Sequence, residues 1–509
     1  MFLLLFLITI DARYHTLDEI AVELDTLAHD YPTITLFDTL GYSTEDSLPI
    51  FAFKLSDNAA EREDEPRVLF VACHHAEEIL GIEICMYMIQ DLLSNYGNDS
   101  TKTYWIDNRE IWFIPLLNPE GHSVVMQGID TTWRKNKRDN NNNNIFDLGY
   151  DGVDPNRNYD FYWSRGGSDD PGSEYYRGPF PFSERETQVM DEFCSSENFQ
   201  FCITYHSART GLAEVVYYPW VSSSQPPYPP DFFALRDIAI SVARLIIKDD
   251  SSGHYTSMAG QGLDGKTRNW LYGVYGAFTY CIEVSTTTIQ PGWMVDDICM
   301  RNLPGAYHLL DRVDGSGITG HVYDALKGHP LAAEVIIQGT HVSSDADLPP
   351  RLSDKETGRF YRYVTPDTFS IEIRMPGYDT YTVSDVVVMD GSCTDIGSIA
   401  LIKMEAEQDV QGSNGLRVFP NPAQDFLMVH FTDPHRFRNV RVYDINGRMC
   451  KAFDDPTPSL LIWEEKDELQ RQMANGVYYL VAEKLREDYI PGPGIPDHTL
   501  VIQKIIITH

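Results

Sequence analysis

The sequence predicts an α/β domain followed by two smaller all-β domains. From about Tyr14 to Asp311, helical segments such as "LDEIAVELDTLAHDY" alternate with short apolar runs such as "RVLFVAC" and "EIWFIPLLN". This alternation is typical of helices packed on a sheet. After "DGSGITG" at residues 314–320 the helical pattern ends, and short β-type runs recur between turn residues. A chain of 509 residues also exceeds what one hydrophobic core accommodates.

The domain boundaries lie where the composition changes. We expect the α/β domain at residues 14–312 and a first β-sandwich at residues 316–403, which carries the runs "AEVIIQG", "RFYRYVT" and "FSIEIRM". The polar stretch "MEAEQDVQGSNG" that follows is typical of a linker. A second β-sandwich is expected at residues 411–509, where the Asn-Gly of "VRVYDINGRMC" is a strong hairpin signal.

The N-terminus begins with the apolar run "MFLLLFLITI" and turns polar at Asp11. The run is too short to span a bilayer and has about the length of a signal-peptide core. We therefore expect residues 1–13 to be a signal peptide and the protein to be exported. No other apolar run reaches spanning length, so no transmembrane segment is expected.

The net charge is strongly negative, because 75 Asp and Glu residues oppose 40 Lys and Arg residues and give −35 at pH 7. Nucleic acids and anionic membranes both require a basic surface on the protein that binds them. Neither is therefore expected as a partner. An acidic, solvated surface instead suits an exported protein.

Two adjacent histidines and two adjacent glutamates lie in "VLFVACHHAEEILGIE" at residues 68–83. His75 and Glu78 are three residues apart, as are His74 and Glu77, and either pair can face one ion where a strand turns into a helix. Hydrolytic zinc sites use such nitrogen and carboxylate ligands. The spacing alone indicates little, because a glutamate at a helix start also stabilises the helix dipole.

Further segments, in order, carry a resemblance to a known family. They are "TTWRKNKRD" (131–139), "GVDPNRNYDFYW" (152–163), "YYRGPFPFSERET" (175–187), "ITYHSARTG" (203–211) and "YGAFTYCIEVST" (275–286). Together with "PRVLFVACHHAEE" they resemble the zinc carboxypeptidase family over residues 14–312. The resemblance implies a mixed central sheet flanked by helices, one catalytic Zn²⁺, and hydrolysis of the C-terminal bond of peptides or proteins that have a free carboxylate.

The resemblance also implies a role for each of eight residues. In the family pattern a small residue follows the first metal-binding histidine, which selects His75 and makes Glu78 the carboxylate ligand. His206 matches the third ligand, and Glu283 matches the general base. Arg134 matches the residue that stabilises the oxyanion. Asn156 and Arg157 match the pair that holds the terminal carboxylate. Arg268 falls at the position that selects the C-terminal side chain.

Some positions leave specificity open or depart from the family pattern. Arg268 would favour Asp or Glu at the substrate C-terminus by charge pairing, although a solvent-exposed or loop-bracing role is equally compatible with the sequence. Glu77 stands where many relatives carry an arginine, so one upstream subsite should differ. The family's mobile tyrosine aligns with Gln261, and Tyr255 or Tyr272 is a candidate substitute unless the role is absent.

The oxygen-rich loop "RDNNNNNIFDLGYDGVD" at residues 138–154 is a second candidate metal site. Its acids and amides recur from Asp139 to Asp147 with the spacing of a calcium loop, and Ile145 falls where such loops supply a carbonyl oxygen. The closing bidentate glutamate is missing, so a plain surface insertion is an equal alternative. Ca²⁺ near Asp139–Asp147 is therefore a hypothesis for the structure to test.

The two all-β segments also resemble known modules. Residues 316–403 are similar to the transthyretin-like β-sandwich that often follows such catalytic domains, and we expect it to pack against the catalytic domain. Residues 411–509, with "FPNPAQD", "VYDINGR", "GVYYL" and "KIIIT", resemble the C-terminal sorting domain of type IX secretion cargo. That resemblance implies passage through the periplasm and outer membrane, the type IX secretion machinery as partner, and a secreted or cell-surface location.

Two alternatives remain open from the sequence. One is a zinc amidase of the same fold that cuts cell-wall peptides containing a D-residue; the Asn-Arg pair favours a free C-terminal carboxylate but does not require it. The other is a non-catalytic surface-binding protein, against which the complete set of ligands, base and carboxylate-binding residues argues.

Overall fold

The computed structural model describes residues 10–207, 213–224, 226–339, 348–403 and shorter stretches between residues 416 and 507. The chain divides into two compact units, Met1–Met404 and Glu405–His509. Most of the predicted signal peptide, residues 1–9, and the predicted linker, residues 404–415, lie outside the described residues. Of the helices that are described, none is both long enough and apolar enough to cross a membrane.

A mixed sheet forms the centre of the first unit. Its strands are β1 (Thr35–Tyr42), β2 (Pro49–Leu55), β3 (Arg67–Ala72), β4 (Glu110–Ile114), β5 (Phe201–Ser207), β6 (Val215–Val221), β7 (Thr256–Gln261) and β8 (Phe278–Val284). They lie in the order β1-β2-β4-β3-β5-β8-β6-β7. The pairs β4/β3, β3/β5 and β5/β8 are parallel, whereas β1/β2, β2/β4 and β8/β6 are antiparallel.

Helices flank this sheet. They are α1 (Leu17–Asp30), α2 (Leu80–Asn95), α3 (Ser100–Asp107), α4 (Pro119–Met126), α5 (Arg185–Glu197), α6 (Phe232–Leu245), α7 (Thr267–Trp270) and α8 (Gly292–Arg312). Every residue of β3, β4 and β5 is buried, as expected for strands that are covered on both faces. The predicted α/β fold class is confirmed.

The topology decides where side chains from distant segments meet. Because β3, β5 and β8 are adjacent and parallel, their carboxyl ends lie side by side at one edge of the sheet. Ligand sites in α/β sheets form at this edge. The predicted segments that carry His75 with Glu78, His206 and Glu283 follow or end these same strands.

The segment after α8 forms a β-sandwich within the first unit. Its strands are β9 (Gly317–Asp324), β10 (Glu334–Ile337), β11 (Arg359–Tyr363), β12 (Asp367–Arg374), β13 (Tyr381–Val388) and β14 (Cys393–Leu401). They form the sheets β10-β12-β13 and β11-β9-β14 around an apolar core of their own. Tyr363 packs on Phe201 and Phe278 of the α/β domain, with ring centroids 4.6 and 5.7 Å apart, so the expected packing between the two is observed.

The second unit is all-β. Its described strands are β15 (Leu416–Phe419), β16 (Leu427–Phe431), β17 (Phe437–Asp444), β18 (Met449–Ala452), β19 (Leu460–Trp463), β20 (Gly476–Leu485) and β21 (His498–Ile507). They form the sheets β15-β16-β19 and β18-β17-β20-β21, which share one apolar core.

Candidate metal centre and substrate site

Three predicted ligands meet at the carboxyl ends of neighbouring strands. His206 lies in β5, whereas His75 and Glu78 lie in the turn between β3 and α2. His75 Nδ1 lies 2.9 Å from Glu78 Oε1, His206 Nδ1 lies 2.7 Å from Glu78 Oε2, and the two Nδ1 atoms are 3.1 Å apart. All three side chains are buried. The fold therefore brings together side chains that are more than a hundred residues apart in sequence.

The trio suits a zinc ion in donor chemistry and in spacing. Two imidazole nitrogens and one carboxylate are the donor set of hydrolytic zinc sites. Ligand atoms bound at about 2.1 Å to a tetrahedral ion lie roughly 3.4 Å apart, close to the separations seen here. The other such group found in the described part of the chain is Asp57, Glu63 and Glu65, which offers no nitrogen donor.

Burial and mutual charge set the protonation of the trio. Burial raises the pKa of Glu78, but His75 and His206 outweigh it and hold that pKa well below its usual range. Burial lowers the pKa of His206, which favours the neutral imidazole. Burial and Arg134 lower the pKa of His75, but Glu78 and Asp154 outweigh them and raise it. A cation that binds here would therefore compete with a proton for His75.

A strained turn presents His75 to the site. Cys73, directly after β3, has a φ of 56°, a backbone conformation that a non-glycine residue keeps only when its surroundings hold it. Asn118 Nδ2 donates to the His74 carbonyl at 3.1 Å, and Ala76 N donates to the Arg134 carbonyl at 3.0 Å. These bonds fix the direction in which the chain leaves the strand.

His74 stacks on the ring of His206, with ring centroids 5.5 Å apart, but its Nε2 is bound outside the trio. Its Nε2 contacts Thr267 Oγ1 at 2.8 Å and Tyr159 Oη at 3.1 Å. Glu77 is buried, with Oε1 at 4.0 Å from Arg134 Nη1. Of the two histidine–glutamate pairs that the spacing allowed, only the pair of His75 and Glu78 converges with His206.

Glu283 lies beside the trio. It is near the carboxyl end of β8, where its Cα pairs with that of His206 across the sheet. Burial, and then the charge of Glu78, raise the pKa of Glu283 to about 7, against the opposing charges of His75 and two arginines. A carboxyl group whose pKa lies near neutrality can both accept and return a proton, as a general base must.

Arg134 contacts the trio directly and also through Asp154, an acid that sequence reasoning did not single out. Arg134 Nη2 lies 2.6 Å from His75 Nε2. Asp154 Oδ2 accepts from Arg134 Nε at 3.0 Å, and Asp154 Oδ1 lies 3.3 Å from the outer nitrogen of His75. Arg134 Nη1 lies 3.5 Å from Glu78 Oε1. A carboxylate behind a histidine ligand fixes the ring and its tautomer. The sequence signal that could have identified Asp154 was its position two residues before Asn156.

Asn156 and Arg157 lie in a short helical turn that Asp154 caps, since Asn156 N donates to Asp154 Oδ1 at 2.9 Å. Asn156 Nδ2 lies 3.3 Å from His206 Nε2. Arg157 Nη1 donates to the Asn156 carbonyl at 2.8 Å. Both predicted carboxylate-binding side chains are therefore beside the metal centre.

Tyr175 covers two of these arginines. Its ring centroid lies 5.3 Å from the guanidinium carbon of Arg134 and 5.5 Å from that of Arg157, and the residue is 45% exposed. The family-like segment 175–187 contained this residue, but sequence gave no reason to place it over the site. A half-exposed aromatic ring at this position borders the space where a substrate terminus would lie.

Arg268 is buried and stacks on Tyr217, with 5.6 Å between its guanidinium carbon and the ring centroid. Its Nε has no hydrogen-bond partner, and no ion pair is found for it among the described residues. Gly260 leaves room for the guanidinium, since a Cβ there would lie 2.0 Å from Arg268 Nη2. The solvent-exposed role considered for Arg268 is excluded.

Lys266 adds a second cation near Arg268. It pairs with Asp264. Burial, and then the charges of Arg157 and Arg268, lower the pKa of Lys266 to about 8 against the opposing charge of Asp264. Lys266 thus adds a cation to the two predicted substrate-binding arginines, Arg157 and Arg268.

The calcium hypothesis receives no support. Asp139 Oδ2 accepts from Asn144 N at 2.7 Å, and Asp139 Oδ1 accepts from Asn141 N at 3.2 Å. The amide nitrogens of Asn141 and Asn143, rather than their oxygens, face Asp147 Oδ2 at 3.1 and 2.8 Å. The loop satisfies its own acids by hydrogen bonds, as a plain surface insertion does.

Neither candidate substitute for the mobile tyrosine is free to move. Tyr255 is buried, and its hydroxyl accepts from Ser285 N at 2.9 Å. Tyr272 is also buried, and its hydroxyl donates to Asp231 Oδ2 at 2.8 Å. The structure therefore supports neither as a substitute. Each hydroxyl belongs to the packing of the domain.

Comparison with protein families supports the sequence-based resemblance. Residues 20–299, more than half of the chain, match the family model described as zinc carboxypeptidase. Residues 417–490 match the model described as a secretion system C-terminal sorting domain. The predicted resemblances of the α/β domain and of the C-terminal segment are confirmed.

Individual proteins with similar sequences are also carboxypeptidases. A zinc carboxypeptidase of Saccharothrix mutabilis subsp. capreolus is 28% identical over 56% of this chain and 64% of its own length. Carboxypeptidase B of Astacus astacus is 32% identical over 42% of this chain and 66% of its length. Carboxypeptidase A1 of Rattus norvegicus is 30% identical over 55% of this chain and 64% of its own length. The chain thus spans just under two thirds of each relative.

Solved structures show the same fold. Carboxypeptidase A from Helicoverpa armigera aligns with a TM-score of 0.51 at 20% identity, over 58% of this chain and 72% of that one. Bovine thrombin-activatable fibrinolysis inhibitor, in complex with tick carboxypeptidase inhibitor, aligns with a TM-score of 0.50 at 20% identity. The alignment covers 59% of this chain and 97% of that one.

Proposed function

Because this chain belongs to the zinc carboxypeptidase family, we propose that it is an exported zinc metallocarboxypeptidase that removes single residues from peptides or proteins with a free C-terminal carboxylate. One observation carries the proposal. His75, Glu78 and His206 converge within hydrogen-bonding distance of one another, next to Glu283 and to a cluster of cations.

Each predicted residue has a chemical task in this reaction. When bound, zinc would supply Lewis-acid polarisation of the scissile carbonyl and activation of water. Glu283 would take a proton from the attacking water and return it to the leaving amine nitrogen. Arg134 would donate to the carbonyl oxygen as negative charge develops there.

The substrate terminus is assigned to Asn156 and Arg157. A guanidinium binds a planar carboxylate with two parallel hydrogen bonds. Tyr175 stacks on Arg157 and limits its side-chain freedom, which reduces the entropy that binding costs.

A free carboxylate on the substrate is the direct test of this assignment. Two peptides of one sequence, one with a free C-terminal carboxylate and one with a C-terminal amide, should differ sharply, with residue release only from the first. Equal cleavage of both, or cleavage only of cell-wall peptides that end in a D-residue, would favour the amidase alternative.

Arg268 is proposed to select an acidic C-terminal side chain. Its buried guanidinium has no carboxylate partner in the described part of the protein, so an incoming Asp or Glu side chain would supply one. Replacing Arg268 by Met is expected to lower kcat/KM for C-terminal Glu by about 10- to 100-fold, the equivalent of one charge-assisted hydrogen-bonded pair. Replacement by Lys keeps the charge and should retain part of the preference. An unchanged ranking of C-terminal residues in Arg268→Met would refute the assignment.

The titration of Lys266 predicts a pH dependence of substrate binding. Its pKa of about 8 means that Lys266 is charged below this pH and neutral above it. Affinity for anionic termini should therefore fall, and KM should rise, as the pH increases through about 8. The same KM profile recorded for Lys266→Met should lack this alkaline rise, and an identical rise in the variant would show that another group titrates.

Export is assigned to the C-terminal segment. Residues 417–490 match a secretion sorting domain, and we place the mature enzyme outside the outer membrane or on the cell surface. The type IX machinery is the corresponding partner.

A further inference from the structure

The β-sandwich of residues 316–403 contacts the catalytic segment that carries Arg268. We call this segment the wall helix and define it as Thr267–Tyr275, in which the helical turn Thr267–Trp270 continues as the π-helical turn Leu271–Tyr275. Arg351, from the sandwich, donates through Nη1 to the Gly273 carbonyl at 3.1 Å and through Nη2 to the Tyr272 carbonyl at 2.8 Å. Two carbonyls near the end of the wall helix are thus bound by another domain.

The opposite end of the wall helix is tied to the site. Thr267 N and Thr267 Oγ1 donate to Asn156 Oδ1 at 2.9 and 3.0 Å, and Thr267 Oγ1 contacts His74 Nε2 at 2.8 Å. Arg268 follows directly in sequence. The position of its guanidinium therefore depends on a short helix that is fixed by the site at one end and by the sandwich at the other.

A guanidinium is well suited to the carboxyl end of this helix. The helix dipole favours a cation at this end. Gly276 N already donates to the Tyr272 carbonyl at 3.0 Å, so Arg351 adds a second donor to that carbonyl. Arg351 also lies over the Tyr272 ring, at 5.0 Å from guanidinium carbon to centroid. The Tyr272 hydroxyl bonds to Asp231, whose Oδ1 lies 3.6 Å from Arg362 Nη2 of the same sandwich. The contact thus involves two sandwich arginines.

We propose that Arg351 is a positioning residue for the C-terminal side-chain pocket: by binding the carboxyl end of the wall helix, the sandwich holds Arg268 where it meets the substrate side chain. The sandwich thereby contributes to specificity without touching the substrate. This inference rests on the proposed function, because it concerns the pocket of the same enzyme.

The test compares the ratio of kcat/KM for C-terminal Glu to that for C-terminal Leu in the full chain and its variants. Arg351→Ala should lower this ratio about tenfold, the effect of displacing one charge-assisted hydrogen bond, mainly through KM, with bound zinc unchanged. Arg351→Lys keeps a cation at the helix end and should recover part of the ratio.

A matched control removes a different sandwich contact. Arg359 joins the sandwich to Asp64, with bonds of 3.0 and 2.9 Å, and does not touch the wall helix. Arg359→Ala should lower the melting temperature as Arg351→Ala does but leave the substrate ratio unchanged. An unchanged ratio in Arg351→Ala, or an equal loss in Arg359→Ala, would overturn the proposal.

A binding measurement separates this inference from the proposed function. Calorimetry of the zinc-free chain with N-acetyl-glutamate and N-acetyl-leucine requires no turnover. The wild-type chain should prefer the dicarboxylate, and Arg351→Ala should lose most of that preference even if no peptide is cleaved. Retention of the full preference in Arg351→Ala would count against the positioning role.

Discussion

Glu283→Gln is expected to lower kcat by about 10³-fold, within the range that loss of a general base costs, while the protein still binds zinc. The amide keeps the shape of the side chain but cannot take a proton. Burial without a partner is unfavourable for a carboxylate, and the raised pKa of Glu283 reflects it. The melting temperature of the variant should therefore be equal or higher. Steady-state kinetics, metal analysis and calorimetry measure these three quantities.

Glu214→Gln is the matched control for this experiment. Glu214 is also buried, and burial raises its pKa, but it accepts from Asp249 N at 2.6 Å outside the site. This variant should keep its activity. If Glu283→Gln retains activity within a few-fold of the wild type, Glu283 is not the base.

The second large expected effect is a loss of zinc affinity when one of the two adjacent histidines, His75, is replaced. His75→Asn should lower zinc affinity by more than the roughly 100-fold that loss of an outer-shell partner costs, and activity should fall with it. His74→Asn should keep zinc, because His74 Nε2 contacts Tyr159 and Thr267, and its ring only stacks on that of His206. Competition with a chelator, followed by metal analysis, gives the affinity of each variant.

The reverse result would reassign the site. Zinc lost in His74→Asn and kept in His75→Asn would mean that the other histidine–glutamate pair binds the ion. The zinc affinity of Asp154→Asn should fall between those of the two variants, since within the trio Asp154 contacts the outer nitrogen of His75 and no ligand atom that faces the ion.

Much of the fold was predictable because it follows from local pattern and the order of the segments. Alternating apolar and helical segments define α/β layers, and the carboxyl ends of adjacent parallel strands meet at one edge. The family resemblance, and not the local pattern, placed His206 with His75 and Glu78. The family resemblance then decided between His75 and His74, a choice that spacing left open.

The rest depends on packing between distant segments, which no local pattern encodes. Tyr175 stacks on Arg134 and Arg157, and Arg351 reaches the wall helix from another domain. Tyr255 and Tyr272 had the right chemistry for a mobile residue, yet burial decides against both. The oxygen-rich loop had the spacing of a calcium site, but its own amides satisfy its acids.

Mass spectrometry of a mixed peptide pool tests the central claim most directly. The pool is incubated with the zinc-loaded protein, with a chelator-treated sample and with Glu283→Gln. Sequential loss of single C-terminal residues that stops in both controls is the result expected of a zinc carboxypeptidase. A pool that stays intact while the protein holds one zinc per chain, or internal cleavage that leaves the C-termini untouched, would contradict it.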